Sequence, residues 1–199
     1  MHYSGSIKME LVRKAVHILT GVTIVLLFQA KLLTLETFGL LILLFTALIL
    51  FNYRYEREVL TRILNINRAD RNVPGIDILF YVVACFIVLW LFDERIAFAS
   101  ILILAFGDSV AHLISRSFGA THTMLTKTTY LEGTIAAIVA ATLVAWLYVP
   151  FWAAILAATA AMIVEAGELR IGDHHVDDNL IIPLVAGFVL WLVQFAFPF

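Results

Sequence analysis

The chain has 199 residues, 62% of them hydrophobic, with 13 Lys+Arg against 15 Asp+Glu and a net charge of −2. Soluble domains run at about 45–50% apolar and about 25% charged, so a mean hydropathy of +0.98 excludes an ordinary soluble globule and a disordered chain. The near-zero net charge excludes a binder of nucleic-acid polymers, and a single cysteine, Cys85, excludes an internal disulfide or a Cys-rich zinc site.

A helix needs about 17–25 residues to cross the hydrocarbon, and the charges cut the sequence into runs of that order. Residues 15–30 are uncharged behind Arg13 and Lys14 and predict the first span. Residues 37–53 predict the second. The segment 52–72 follows, with Arg54, Glu56, Arg57, Glu58, Arg62, Arg68, Asp70 and Arg71. Its Val59, Ile63 and Ile66 recur at helical spacing, which predicts a cytosolic or interfacial amphipathic helix. Pro74-Gly75 is a turn that launches the third span, 78–92. The fourth runs from 96 past Asp108 to about 118. Residues 133–164 carry no charge and would make one helix of about 48 Å, too long for a bilayer. Pro150, among Trp146, Tyr148 and Trp152, divides them into a fifth and a sixth span. Residues 179–199 are the seventh.

Lys and Arg favour the cytoplasmic side. With the N-terminus inside, only Lys31 and Arg95 of the basic residues, and only Glu36, Asp93 and Glu94 of the acids, fall outside. Trp90, Trp146, Trp152 and Trp191 then sit in the outer halves of their spans, as an aromatic belt should. A cleaved signal peptide competes for the N-terminus, but Phe28-Gln29-Ala30 is a poor cleavage site. The expected fold is all-α: one polytopic integral membrane domain over 1–199, with about seven transmembrane helices, N-terminus cytoplasmic and C-terminus outside.

Polar groups within spans are costly and mark function by default. Arg13 and His17 share a face at the head of the first span; Arg13 and Lys14 also suit a snorkelling role. Asp108, His112 and Ser115-Arg116 share a face of the fourth, after Gly107 and before Gly119. Its structural alternative is a buried Asp108–Arg116 pair. Lys127-Thr128-Thr129 leads to Glu132-Gly133 at the start of the fifth span, where a Thr would cap the helix or the group would meet phosphate. Glu165 and Glu168 end the sixth. Asp177, Asp178 and Asn179 open the seventh, with Asp178 or Asn179 as its cap. His174-His175 beside them is a weaker candidate for a transition metal. All these groups collect on the inner side. Carboxylates interleaved with Lys and Arg near glycines suit a Mg²⁺–polyphosphate substrate, because Mg²⁺ takes one or two carboxylates plus phosphates.

In order along the chain, Arg13-Lys14-x-x-His17, Gly107-Asp108-x-x-Ala111, Arg116-x-Phe118-Gly119, Lys127-Thr128-x-x-x-Glu132-Gly133-Thr134, Glu165 and Asp178-Asn179-Leu180-x-x-Pro183 resemble the CTP-dependent polyprenol kinase family. That family includes dolichol kinase, phytol kinase and the CTP-using diacylglycerol kinase. The resemblance implies transfer of the γ-phosphate of CTP to a long-chain isoprenoid alcohol, of dolichol, polyprenol, geranylgeraniol or phytol type, at the cytoplasmic face. It implies catalytic roles for Asp108, Lys127, His112 and Glu132. Nucleotide and phosphate contacts would come from Arg13, His17, Gly107, Ser109, Arg116, Gly119, Lys127, Thr128, Gly133 and Asn179. Magnesium would be held by Asp108, Glu132, Glu165 and Asp178. The alcohol's proton would go to His112, His17 or a carboxylate. The glycines would give the nucleotide room. The inserted Thr129-Tyr130-Leu131 departs from the family's shorter spacing and loosens the register of Lys127. The middle motifs also look like phosphatidate cytidylyltransferases, but the stretch before the last span lacks their signature. A transporter is the rival of another class; the one-sided charges argue against it.

Overall fold

The computed structural model describes residues 3–55, 75–121, 130–167, 170–171 and 174–199. Seven helices are described: α1 (Tyr3–Gln29), α2 (Leu35–Tyr55), α3 (Ile76–Leu91), α4 (Glu94–Phe118), α5 (Leu131–Ala145), α6 (Phe151–Ala166) and α7 (Asp178–Ala196). Between α6 and α7, β1 (Arg170–Ile171) pairs antiparallel with β2 (His174–His175). The all-α expectation therefore holds apart from this short hairpin. Four segments are long and apolar enough to cross a membrane: Glu10–Gln29, Leu35–Tyr55, Glu94–Phe118 and Asp178–Ala196. The other three helices have 15 or 16 residues, about 24 Å at 1.5 Å per residue, short of a hydrocarbon core of about 30 Å. The amphipathic segment expected at 52–72 overlaps the end of α2 to Tyr55; the remainder is outside the described residues.

The turns follow local chemistry. Asp93 caps α4, accepting from the backbone N–H of Arg95 and Ile96 at 3.1 and 3.2 Å. Thr34 and Thr37 cap each other reciprocally ahead of α2. Lys31 has φ 57°. Its N–H donates to Phe28 and that of Leu32 to Leu27, each at 2.9 Å, which closes α1 with a Schellman turn built on a lysine instead of a glycine. Gly75, with φ 85°, starts α3. Pro150 is the N-cap of α6, so the long uncharged run divides where expected.

The helix α4 is the axis of the bundle. From Ile96 to Ala105 every residue is buried, and α1, α3, α5, α6 and α7 pack around it. A helix apolar all round belongs in a core. Small residues let its neighbours come close: Ala137, Ala141 and Ala145 on α5, and Ala153, Ala154, Ala157, Ala158 and Ala161 on α6, have no exposed surface. The helix α2 packs on α3. Phe38 on α2 sits between Phe28 of α1 and Phe86 of α3. At one end of the bundle Tyr148 donates to Gln29 Oε1 at 2.8 Å, beside Trp146 and Trp152. The charged side chains described below gather at the other end.

Candidate active site

The helices α1 and α4 run antiparallel, so residues climbing one meet residues descending the other. Glu10 meets Arg116, Lys14 meets Asp108 and Ser109, His17 meets Asp108, and Gly21 meets Ala105. Glu10, Arg13, Lys14 and His17 follow at i, i+3, i+4 and i+7, one face of a helix. Asp108, Ser109, His112 and Arg116 form the matching face of α4.

Asp108 is the centre. Lys14 Nζ donates to its Oδ2 at 2.7 Å, with both side chains about 5% exposed. His17 Nε2 is 3.3 Å from the same oxygen, and buried, but is not aligned for a hydrogen bond. His112 Nε2 faces Oδ1 at 3.2 Å and is 37% exposed. Two charges taken out of water need this kind of mutual satisfaction, and removing one partner of such a pair costs about 3–5 kcal/mol. The ring of His17 stands edge-on to Tyr81 of α3 at 4.3 Å, and Tyr81 donates its hydroxyl to the His17 carbonyl at 3.2 Å. Ser109 Oγ donates to the Lys14 carbonyl at 3.5 Å. One turn toward the end of the bundle, Glu10 pairs with Arg13 and, at 3.4 Å, with Arg116.

These contacts revise several expectations. The buried pair is Lys14–Asp108, and Arg116 reaches Glu10. Lys14, taken from the sequence as a charge at the membrane edge, is buried at the centre of the site. Glu132 turns back to accept from Thr121 N–H at 3.1 Å and from Ala120 N–H at 3.4 Å, which ties the end of α4 to the start of α5. The N-cap of α5 is Tyr130, without a side-chain bond, rather than a threonine. At α7 the cap is Asp177, which accepts from Asn179 N–H at 3.1 Å. That places Asp178 and Asn179 in the first turn. Glu165 is buried at the end of α6. Lys127 and Thr128 are outside the described residues, as is Glu168.

The glycines approach protein. A Cβ at Gly107 would meet Met162 at 2.8 Å and Ala141 at 3.6 Å; at Gly119 it would meet Tyr130; at Gly133 it would meet Ser115 Oγ and the Ala111 carbonyl. At these positions the space that a Cβ would occupy is taken by neighbouring protein groups. The four carboxylates expected around magnesium do not form one such cluster among the described residues. Both oxygens of Asp108 face protein donors, Glu132 closes a loop, and no group of three or more His, Cys, Asp or Glu that could hold a metal occurs among the described residues. The described residues do not fit a protein-built metal cage.

No family model matches the chain, and no solved structure matches it. It is similar to the CTP-dependent diacylglycerol kinase 1 of Schizosaccharomyces pombe, with 25% identity over 211 aligned positions that cover 94% of each chain. The likeness is to a CTP-dependent lipid kinase. The likeness extends over nearly the whole chain.

Proposed function

We propose that the chain is a CTP-dependent lipid kinase, which moves the γ-phosphate of CTP to the hydroxyl of a membrane lipid at the cytoplasmic face. The observation that carries this reading is the full-length similarity to a CTP-dependent lipid kinase. The charged seam at one end of an apolar bundle supports it, because a lipid hydroxyl and a soluble nucleotide meet at such a boundary. Arg13, Lys14 and Arg116 share that end, which supports an inward-facing N-terminus under the positive-inside rule. The acceptor we propose is a long-chain isoprenoid alcohol, on the strength of the ordered motifs; diacylglycerol is the acceptor named for the fungal relative.

In the proposed reaction the lipid oxygen attacks the γ-phosphorus, the bond to the β–γ bridging oxygen breaks, and CDP leaves. Such a transfer depends on positioning and on neutralising charge. Arg13, Lys14 and Arg116 bring three positive charges to the seam against the two negative charges of Glu10 and Asp108. Asp108 holds Lys14 in place, and Lys127 is proposed as a further phosphate contact. A proton on His112 Nε2 is stabilised by Asp108, which leaves Nδ1 as the acceptor of the alcohol proton. Of the two histidines at Asp108, His112 is the more exposed, at 37% against 15%. Magnesium is proposed to accompany CTP, held chiefly by its phosphates.

The test supplies CTP labelled at the α- or the γ-phosphate with a panel of dolichol, geranylgeraniol, phytol and diacylglycerol. The γ-label should enter the lipid. Entry of the α-label would replace a kinase with a cytidylyltransferase, and the panel decides the acceptor. Chelation with EDTA should stop transfer and added Mg²⁺ restore it.

A further inference from the structure

Glu10 has no part in the reaction just described, yet it is bonded to guanidinium groups from two helices. One of its oxygens takes Arg13 of its own helix, and the other takes Arg116 from the end of α4. Its side chain is 14% exposed, and that of Arg116 is 37% exposed. Glu10 is one turn of α1 before Lys14, so the two guanidiniums are gathered on the solvent side of the Lys14–Asp108 pair. Two arginines brought together repel each other, and each has a flexible side chain to order. A carboxylate between them removes both obstacles before a ligand arrives. A guanidinium carries five N–H donors in a planar fork, a shape that suits phosphate oxygens. The trio carries one net positive charge.

We infer that Glu10 is a positioning residue that joins Arg13 and Arg116 into one receptor for the polyphosphate of the nucleotide. This rests on the lipid-kinase reading for the identity of the nucleotide, and on the seam geometry alone for the receptor. The inference has a sign that simple electrostatics does not share. Removing a negative charge beside an anion site should tighten anion binding. Removing a residue that organises the site should weaken it.

The experiment uses the full chain in lipid nanodiscs, wild type beside Glu10→Gln and Glu10→Asp. Binding of inorganic tripolyphosphate and of CTP is read as thermal stabilisation, and turnover as KM and kcat. We expect Glu10→Gln to weaken both ligands about tenfold, the equivalent of one well-placed charge-assisted hydrogen bond. The KM for CTP should rise in step, while kcat at saturating CTP and the KM for lipid stay within about twofold. Glu10→Asp should recover part of the loss. Arg116→Gln should produce the same shift, and the Glu10→Gln/Arg116→Gln double variant no larger one. Unchanged or tighter tripolyphosphate binding in Glu10→Gln would overturn the inference, as would additive effects in the double variant. If Glu10→Gln does not fold, Arg116→Gln decides, and unchanged tripolyphosphate binding there overturns it. A wild-type protein that binds tripolyphosphate but phosphorylates no lipid would instead sink the kinase reading and leave the receptor standing.

Discussion

Between Glu10 and His17, α1 meets α4 through charges, and between Gly21 and Val25 it enters the apolar core. In the first half Lys14, His17 and His112 surround Asp108. In the second, Gly21 comes close to Ala105 and Ile101, and Ile24 and Val25 are buried. Each half does what the other cannot. Apolar contact in a bilayer brings little orientation of its own, so close approach at a glycine sets the depth of the crossing. Charges specify partners but are costly there. The apolar half therefore fixes where the polar half can form, and the polar half carries the candidate site.

The sharpest way to break this division is at Asp108. Asp108→Asn should reduce phosphate transfer by about 10³-fold or more, in line with loss of a group that organises transition-state charge. Membrane insertion, followed by fractionation, should persist. Lys14→Met should be as inactive and also lose about 3–5 kcal/mol of stability, because it leaves a buried carboxylate without its closest partner. The double variant Lys14→Met/Asp108→Leu separates the two effects: its unfolding midpoint should return toward wild type while turnover stays absent. If that variant remains as unstable as Lys14→Met, the seam is held by more than its ion pair. Gly133→Ala probes close packing away from the ions. Its new Cβ would collide with Ser115 Oγ and the Ala111 carbonyl, so about 1–3 kcal/mol should be lost, with part regained in Gly133→Ala/Ser115→Gly. The smallest effect is expected far from the site. Lys31→Gly should leave activity unchanged and stabilise by up to about 1 kcal/mol, since Lys31 occupies a left-handed position that glycine adopts freely.

The order and most boundaries of the seven described helices were legible in the sequence because charge and Pro interrupt apolar runs, as Pro150 does between α5 and α6. The rank of the helices was not legible. The fourth run looks no more apolar than its neighbours, and only packing shows that it is the axis. At the candidate site, Asp108, His112, Arg116 and His17 stand out in the sequence because an ionisable group in a span has a cost that demands an explanation. Lys14 was missed because a lysine at a span's head already has an ordinary explanation in the charge rule. The i, i+3, i+4, i+7 run from Glu10 to His17 was the available signal for it. Partner choice was beyond reach for a related reason. Spacing along α4 pairs Asp108 with Arg116, but a lysine on another helix satisfies Asp108 better, and no local pattern reports a contact between distant segments. The packing role of Gly107, Gly119 and Gly133 was beyond local pattern because a missing side chain looks the same whether a ligand or a neighbouring protein group fills the space.

The closest ion pair of the site joins residues 94 positions apart, and that separation has a consequence for how the molecule is made. During synthesis α1 emerges with Lys14 at the membrane edge long before Asp108 exists. Each charge must therefore wait for its counterpart, the lysine at the headgroups and the aspartate at the polar end of its own helix. The pair then closes by lateral docking of helices already in the bilayer. The charged seam is thus a property of the assembled bundle, absent until the fourth helix docks beside the first.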